Sequence, residues 1–139
     1  MCFTFQSFAQ IGQVREYAIF GSDYKQVTIL SESLKGAAFY LVAGHGGPDP
    51  GALGKYGNSQ VSEDEYAYDV TLRLARKLIE KGALVYIITR DPNDGIRDAA
   101  VLKLDKDEVC HPNLTIPLNQ TARLSQRTKA VNRLYRANR

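Results

Sequence analysis

The strongest constraint on this chain's fold is a change of hydrophobic period, out and back, within residues 37–89. Ala37-Ala38-Phe39-Tyr40-Leu41-Val42-Ala43 is a continuous apolar run stopped by glycine, the pattern of a strand buried on both faces. Ser62-Glu63-Asp64-Glu65 then reads as a helix start, with Ser62 as N-cap and Glu65 at the capping-box position. Ala67, Val70, Leu74 and Leu78 continue at helical spacing, and Lys81-Gly82 supplies the stop. Ala83–Thr89 is a second apolar run of strand length. Strand, helix and strand in that order predict a βαβ unit whose two strands are parallel and adjacent. The fold class expected is α/β, a three-layer α/β/α arrangement with a mostly parallel sheet. A parallel sheet ordinarily continues past such a unit, so the chain reads as truncated on its C-terminal side.

The flanks carry weaker signals. Tyr17–Phe20 and Gln26–Leu30 are short apolar runs separated by Gly21-Ser22-Asp23, which suggests two short strands or a strand and a turn. Gly44–Asn58 is loop by its glycines and by Pro48 and Pro50. Arg90–Gln120 is polar and interrupted by Pro92, Gly95, Pro112 and Pro117; a connection of that length is either functional or disordered. Leu124, Thr128, Val131 and Tyr135 share one face of a final helix. That helix is basic: Arg123, Arg127, Lys129, Arg133, Arg136 and Arg139 occur with no acid after residue 120, leaving 12 basic against 15 acidic residues before it. A solvated face explains the charge most simply, while an anionic polymer is the functional reading. Apolar runs are too short for a membrane span. Cys2 and Cys110 can form at most one disulfide and match no zinc or redox spacing. Ser7-Phe8-Ala9 fits a secretory cleavage site, so residues 1–10 read as the remnant of a signal peptide and 11–36 as an N-terminal extension.

Chemistry concentrates in Ala43-Gly44-His45-Gly46-Gly47-Pro48-Asp49-Pro50-Gly51-Ala52. A histidine at the carboxyl end of a parallel strand sits where open α/β sheets bind ligands. Glu63, in the first turn of the following helix, starts close to the same strand end. Imidazole and carboxylate converging there would suit zinc. The residues alone also allow a turn histidine bonded to backbone, a Glu63 held by the helix dipole, and a Glu65 consumed in capping. Gly51-Ala52-Leu53-Gly54-Lys55 is no phosphate loop, because Asp49 and Tyr56 stand where that motif needs Gly and Ser or Thr.

The ten-residue loop closely resembles the opening motif of zinc-dependent N-acetylmuramoyl-L-alanine amidases of the amidase-3 type. Glu63 at a helix start, Thr89-Arg90-Asp91 after the next strand, and Leu124-x-x-Arg127-x-x-x-Val131-Asn132 follow in the family's order. The resemblance implies that His45 and Glu63 are ligands of Zn2+, with Glu65 the fallback if the loop shifts the register. It implies a second ligand histidine and a catalytic glutamate downstream, so residues 37–139 are expected to be an incomplete catalytic domain, inactive alone. His111 lies where the family has no ligand and is expected to be an ordinary loop histidine. The Arg90–Gln120 connection is longer than the family's.

The function expected from the resemblance is cleavage of the amide between N-acetylmuramic acid and L-alanine in the periplasm or cell envelope. The partner is peptidoglycan, with no nucleic acid; oligomeric state stays open. Two alternatives stand beside it: a non-catalytic peptidoglycan-binding or regulatory protein on the same fold, and an unrelated α/β domain engaging an anionic polymer through its basic helix.

Overall fold

A computed structural model describes residues 10–139; the cleavage-site expectation at Ser7-Phe8-Ala9 lies outside the described residues. In chain order the elements are β1 (Val14–Glu16), β2 (Gln26–Thr28), β3 (Ala38–Leu41), β4 (Leu53–Tyr56), β5 (Ser59–Ser62), α1 (Glu63–Glu80), β6 (Leu84–Ile87), β7 (Thr89–Arg90), β8 (Val109–Cys110), β9 (Leu114–Thr115) and α2 (Gln120–Ala137). The expected βαβ unit is present: β3 and β6 pair in parallel, from Ala38 opposite Leu84 to Leu41 opposite Ile87. Among the described residues this is the one parallel pair. β1–β2, β4–β5 and β7–β8–β9 are antiparallel, because residues 44–62 and 89–115 fold back as short hairpins instead of crossing over. The mixed α/β class holds, and parallel pairing is confined to the centre.

Successive side chains of a strand point to opposite faces, and residues of the parallel pair divide between two core clusters. Leu41, Val85 and Ile87 cluster with Tyr68, Leu72, Ala75 and Ile79 of α1. Tyr40, Tyr86 and Ile88 cluster with Ala130, Val131 and Leu134 of α2. β3 is half-buried, not buried on both faces as its composition suggested. Tyr40 and Tyr86 explain part of that. Their rings stack 5.3 Å apart while the hydroxyls meet Asn138 near the surface: Tyr86 donates to its Oδ1 at 2.8 Å, and its Nδ2 donates to Tyr40 at 3.3 Å. The N-terminal segment shares the α1 core through Phe20, Val27 and Ile29. Of the two readings of that stretch, the strand and a turn holds: Ala18–Phe20 is a 3-10 turn and Gln26–Thr28 is β2.

Both helices are rotated relative to the faces read from the sequence. In α1 the buried stripe is Tyr68, Leu72, Ala75 and Ile79, while Val70 and Leu74 are 63% and 48% exposed. Two apolar stripes coexist on this helix, and polar contacts select between them. Asp69 Oδ1 accepts the Arg97 amide at 2.8 Å, and Glu65 Oε2 lies 3.0 Å from the Arg97 guanidinium, which turns that side inward. In α2 the buried positions are Arg127 and Ala130, and Leu124 and Tyr135 of the expected face are exposed. Asn119 caps this helix by accepting the Ala122 amide at 3.0 Å.

The Arg90–Gln120 connection is neither disordered nor plain loop. It contributes β8 and β9, and it buries Ile96, Leu102, Cys110 and Ile116. Cys110 is a free thiol whose pKa burial pushes up.

The phase of α1 gives a direct check on the packing. Leu72→Ala is expected to lower unfolding free energy by about 2–5 kcal/mol, and Val70→Ala by less than about 0.5 kcal/mol. Urea unfolding of both variants measures it; the reverse order would restore the face read from the sequence.

Candidate functional site

His45 and Glu63 are joined by a chain path that returns to its starting point. After β3 the backbone turns at Gly46–Asp49, where the Gly46 amide donates to the Asp49 carbonyl at 2.8 Å. The chain then leaves as the β4–β5 hairpin, within a segment expected to be loop up to Asn58. Gly57-Asn58 closes it, with Gly57 at φ +60° and Tyr56 opposite Ser59, as two-residue hairpin turns favour. At the hairpin base the Glu63 amide donates to the Ala52 carbonyl at 2.9 Å and the Asp64 amide to the Pro50 carbonyl at 3.2 Å. The first turn of α1 is thereby laced to the end of the histidine loop. His45 Nε2 and Glu63 Oε1 come to 3.5 Å, and Glu63 Oε2 accepts the Ala52 amide at 3.0 Å.

Gly51 fills the gap between these two side chains. At φ +67° it occupies backbone space unfavourable to other residues, and a Cβ there would lie 2.8 Å from Glu63 Oε2 and 2.9 Å from His45 Cδ2. Any side chain would push the pair apart.

Behind the imidazole, His45 Nδ1 is buried, and Asp49 Oδ2 approaches it at 3.3 Å. Arg123 donates to the same Asp49 oxygen at 3.0 Å. Burial acts to raise the Asp49 carboxyl, but hydrogen bonding to His45, the Gly51 amide and the charge of Arg123 together hold it below the usual carboxylate value. Arg127 is buried beneath the loop and donates through Nη1 to the Gly44 carbonyl; burial depresses its pKa. Two of the five basic residues in the final helix therefore support this loop, and a solvated basic face does not describe them.

Glu65 goes elsewhere. Its carboxylate is fully buried, accepts the Asp105 amide at 2.9 Å and pairs with Arg97. It forms no capping box, and Ser62, though at the N-cap, makes no side-chain capping bond. Glu108 arrives from the connection before β8. Its Oε2 accepts the Gly47 amide at 2.6 Å, and its side chain crowds Gly46. Burial pushes the Glu108 carboxyl up to about 7. His111 sits in the β8–β9 turn, where its amide donates to the Ile88 carbonyl at 2.8 Å and its carbonyl accepts from Arg133 at 3.1 Å. Burial, then the charges of Arg90 and Arg133, lower its pKa. It joins no cluster of metal-type donors among the described residues.

Asp49, Arg123, Arg127 and Glu108 were not identified as site residues from the sequence. Asp49 and Arg127 stand inside the motifs that carried the resemblance. Glu108 had no local signal, being 61 residues from the amide it engages.

The donor chemistry fits a metal. One imidazole nitrogen and one carboxylate oxygen at 3.5 Å match the ~3.4 Å ligand spacing of a tetrahedral ion with bonds of about 2.0–2.1 Å. The buried Nδ1 facing a carboxylate is the usual outer-shell support for such a histidine. Among the described residues no third His, Cys, Asp or Glu closes a group with the pair. The pair is a surface feature, with side chains 32% and 51% exposed. The cavity of about 290 Å³ bounded by Phe20, Ile79, Tyr86, Arg90 and His111 does not include it, and that cavity lacks the paired donors a metal needs.

Glu108 provides a pH test. Its folded carboxyl keeps a proton to about pH 7, whereas the free group titrates near 4.5. Its burial therefore carries no penalty below the free value and an increasing one as pH rises through 7. Glu108→Gln keeps an acceptor for Gly47 and is expected to raise stability by up to ~3 kcal/mol at about pH 8 and little at about pH 4.5. Thermal melts in chelator at both pH values check this; an equal gain at both would contradict it.

Residues 40–136 match a family model described as N-acetylmuramoyl-L-alanine amidase. No curated protein and no solved structure matches the chain.

Proposed function

We propose, for a chain that belongs to the N-acetylmuramoyl-L-alanine amidase family, that its residues His45 and Glu63 hold Zn2+ for hydrolysis of the amide joining N-acetylmuramic acid to L-alanine in peptidoglycan. The observation that carries this is the 3.5 Å approach of imidazole and carboxylate across Gly51. Zinc in such a site supplies Lewis acidity toward a substrate carbonyl.

The remaining roles belong to the protein. Asp49, anchored by Arg123, holds the Nδ1 side of His45 and turns Nε2 outward toward Glu63. The Ala52 amide fixes Glu63 Oε2 and leaves Oε1 toward the imidazole. Arg127, bound to the Gly44 carbonyl, supports the strand end from which the loop springs. The fold that carries them is read as three layers, α1 and α2 lying on opposite faces of the parallel pair; the two separate core clusters support this. Action on peptidoglycan puts the protein in the cell envelope.

Two donors orient zinc poorly, so the 139 residues alone are expected to release no muramoyl-linked peptide. A second reading is a non-catalytic peptidoglycan-binding domain on the same fold. It predicts binding to purified peptidoglycan that a chelator leaves unchanged.

Zinc titration calorimetry on the 139-residue chain tests the ligand assignment. His45→Ala and Glu63→Gln are each expected to weaken zinc at least ~10-fold, and Gly51→Ala to do so while leaving both donors present. Unchanged affinity in His45→Ala would remove the assignment.

A further inference from the structure

Away from His45 and Glu63, carboxylates gather at a second place. Glu65 of α1 and Asp105 and Glu108 of the connection before β8 bring one oxygen each within 4.8 Å of one another, and so do Asp91, Asp94 and Asp105. Asp105 belongs to both groups. Among the described residues Arg97 is the one basic side chain ion-paired to any of the five, through Glu65 at 3.0 Å and through Asp94. One guanidinium against five carboxylates leaves a large local excess of negative charge.

The oxygens are also incompletely used. Asp91 is only 5% exposed. Its Oδ1 accepts the amides of Asn93 at 2.6 Å and Asp94 at 2.7 Å, while its Oδ2 is buried without a partner, as is Asp105 Oδ1. Buried, unpaired carboxylate oxygens are expensive.

We propose that a calcium-class divalent cation binds at Asp105, taking further carboxylate oxygens from Glu65, Glu108, Asp91 and Asp94. The donors are all hard oxygens, with no imidazole or thiolate, which suits Ca2+ and not zinc. Several carboxylates on irregular backbone suit its variable, high coordination number better than the strict octahedron of Mg2+. The ion would tie the Asp91–Glu108 connection to the first turn of α1. Since Glu108 also accepts the Gly47 amide, the same clamp would brace the loop that carries His45. The long connection would then be a calcium-fastened support for that loop.

Terbium is a direct probe, because the chain has no tryptophan and the Tyr68 hydroxyl lies 3.4 Å from the Asp91 carbonyl. Tb3+ titrated into the 139-residue chain under tyrosine excitation is expected to give saturable emission. Ca2+ should displace it at lower concentration than Mg2+. Emission should survive His45→Ala, while Asp105→Asn and Asp91→Asn each weaken binding at least ~10-fold. Ca2+ should also raise the melting temperature of the unaltered chain, a readout that stands if either Asn variant fails to fold. No saturable emission, emission lost in His45→Ala, emission unchanged in a folded Asp105→Asn, or no melting shift with Ca2+ would each overturn the proposal.

Discussion

The candidate site depends on two backbone hydrogen bonds at the base of the β4–β5 hairpin. The Glu63 amide reaches the Ala52 carbonyl, and the Asp64 amide reaches the Pro50 carbonyl. These bonds satisfy donors that a helix start leaves free, and they do so with the end of the loop that begins at His45. Position on the helix thus becomes position at the site. Gly51 completes the arrangement, because it is small enough to leave imidazole and carboxylate side by side. The same lacing separates Glu63 from Glu65: two residues apart in the first turn, one faces His45 and the other is buried against Arg97.

Charge, more than apolar packing, holds the loops around this point. Arg123 and Arg127 of α2 reach the histidine loop at Asp49 and Gly44, and Glu108 reaches it at Gly47. Each of these side chains is largely removed from water, where ionic and hydrogen-bonded contacts are strong and their loss is costly. The final helix therefore serves the site through two specific arginines, and its overall basicity is secondary. The acidic side is less balanced, since among the described residues Arg97 alone offsets the carboxylates that converge from α1 and the connection before β8.

Much of this was legible in the sequence where a pattern is local. The apolar runs at residues 37–43 and 83–89 and the helix between them predicted the parallel pair β3–β6, and the glycine loop marked His45. The helix faces were misjudged because periodicity counts apolar residues and takes no account of buried acids. Asp69 and Glu65 turned α1 toward Tyr68 and Leu72, leaving Val70 and Leu74 outside. The hairpin at Gly57-Asn58 had a readable turn signal that its glycine-rich surroundings hid. The connection from Arg90 looked like loop because its buried residues, Ile96, Leu102, Cys110 and Ile116, are isolated in polar sequence and follow no period. The reach of Glu108 to Gly47 is a tertiary contact with no local trace.

The central claim is that His45 is a metal ligand of this chain, paired with a carboxylate. X-ray absorption at the zinc edge of the zinc-loaded 139-residue chain tests it most directly. The expected spectrum has a nitrogen and oxygen shell at about 2.0–2.1 Å with the multiple-scattering pattern of imidazole, and His45→Ala removes that pattern. A sulfur shell at about 2.3 Å, or an imidazole pattern that persists in His45→Ala, would contradict it.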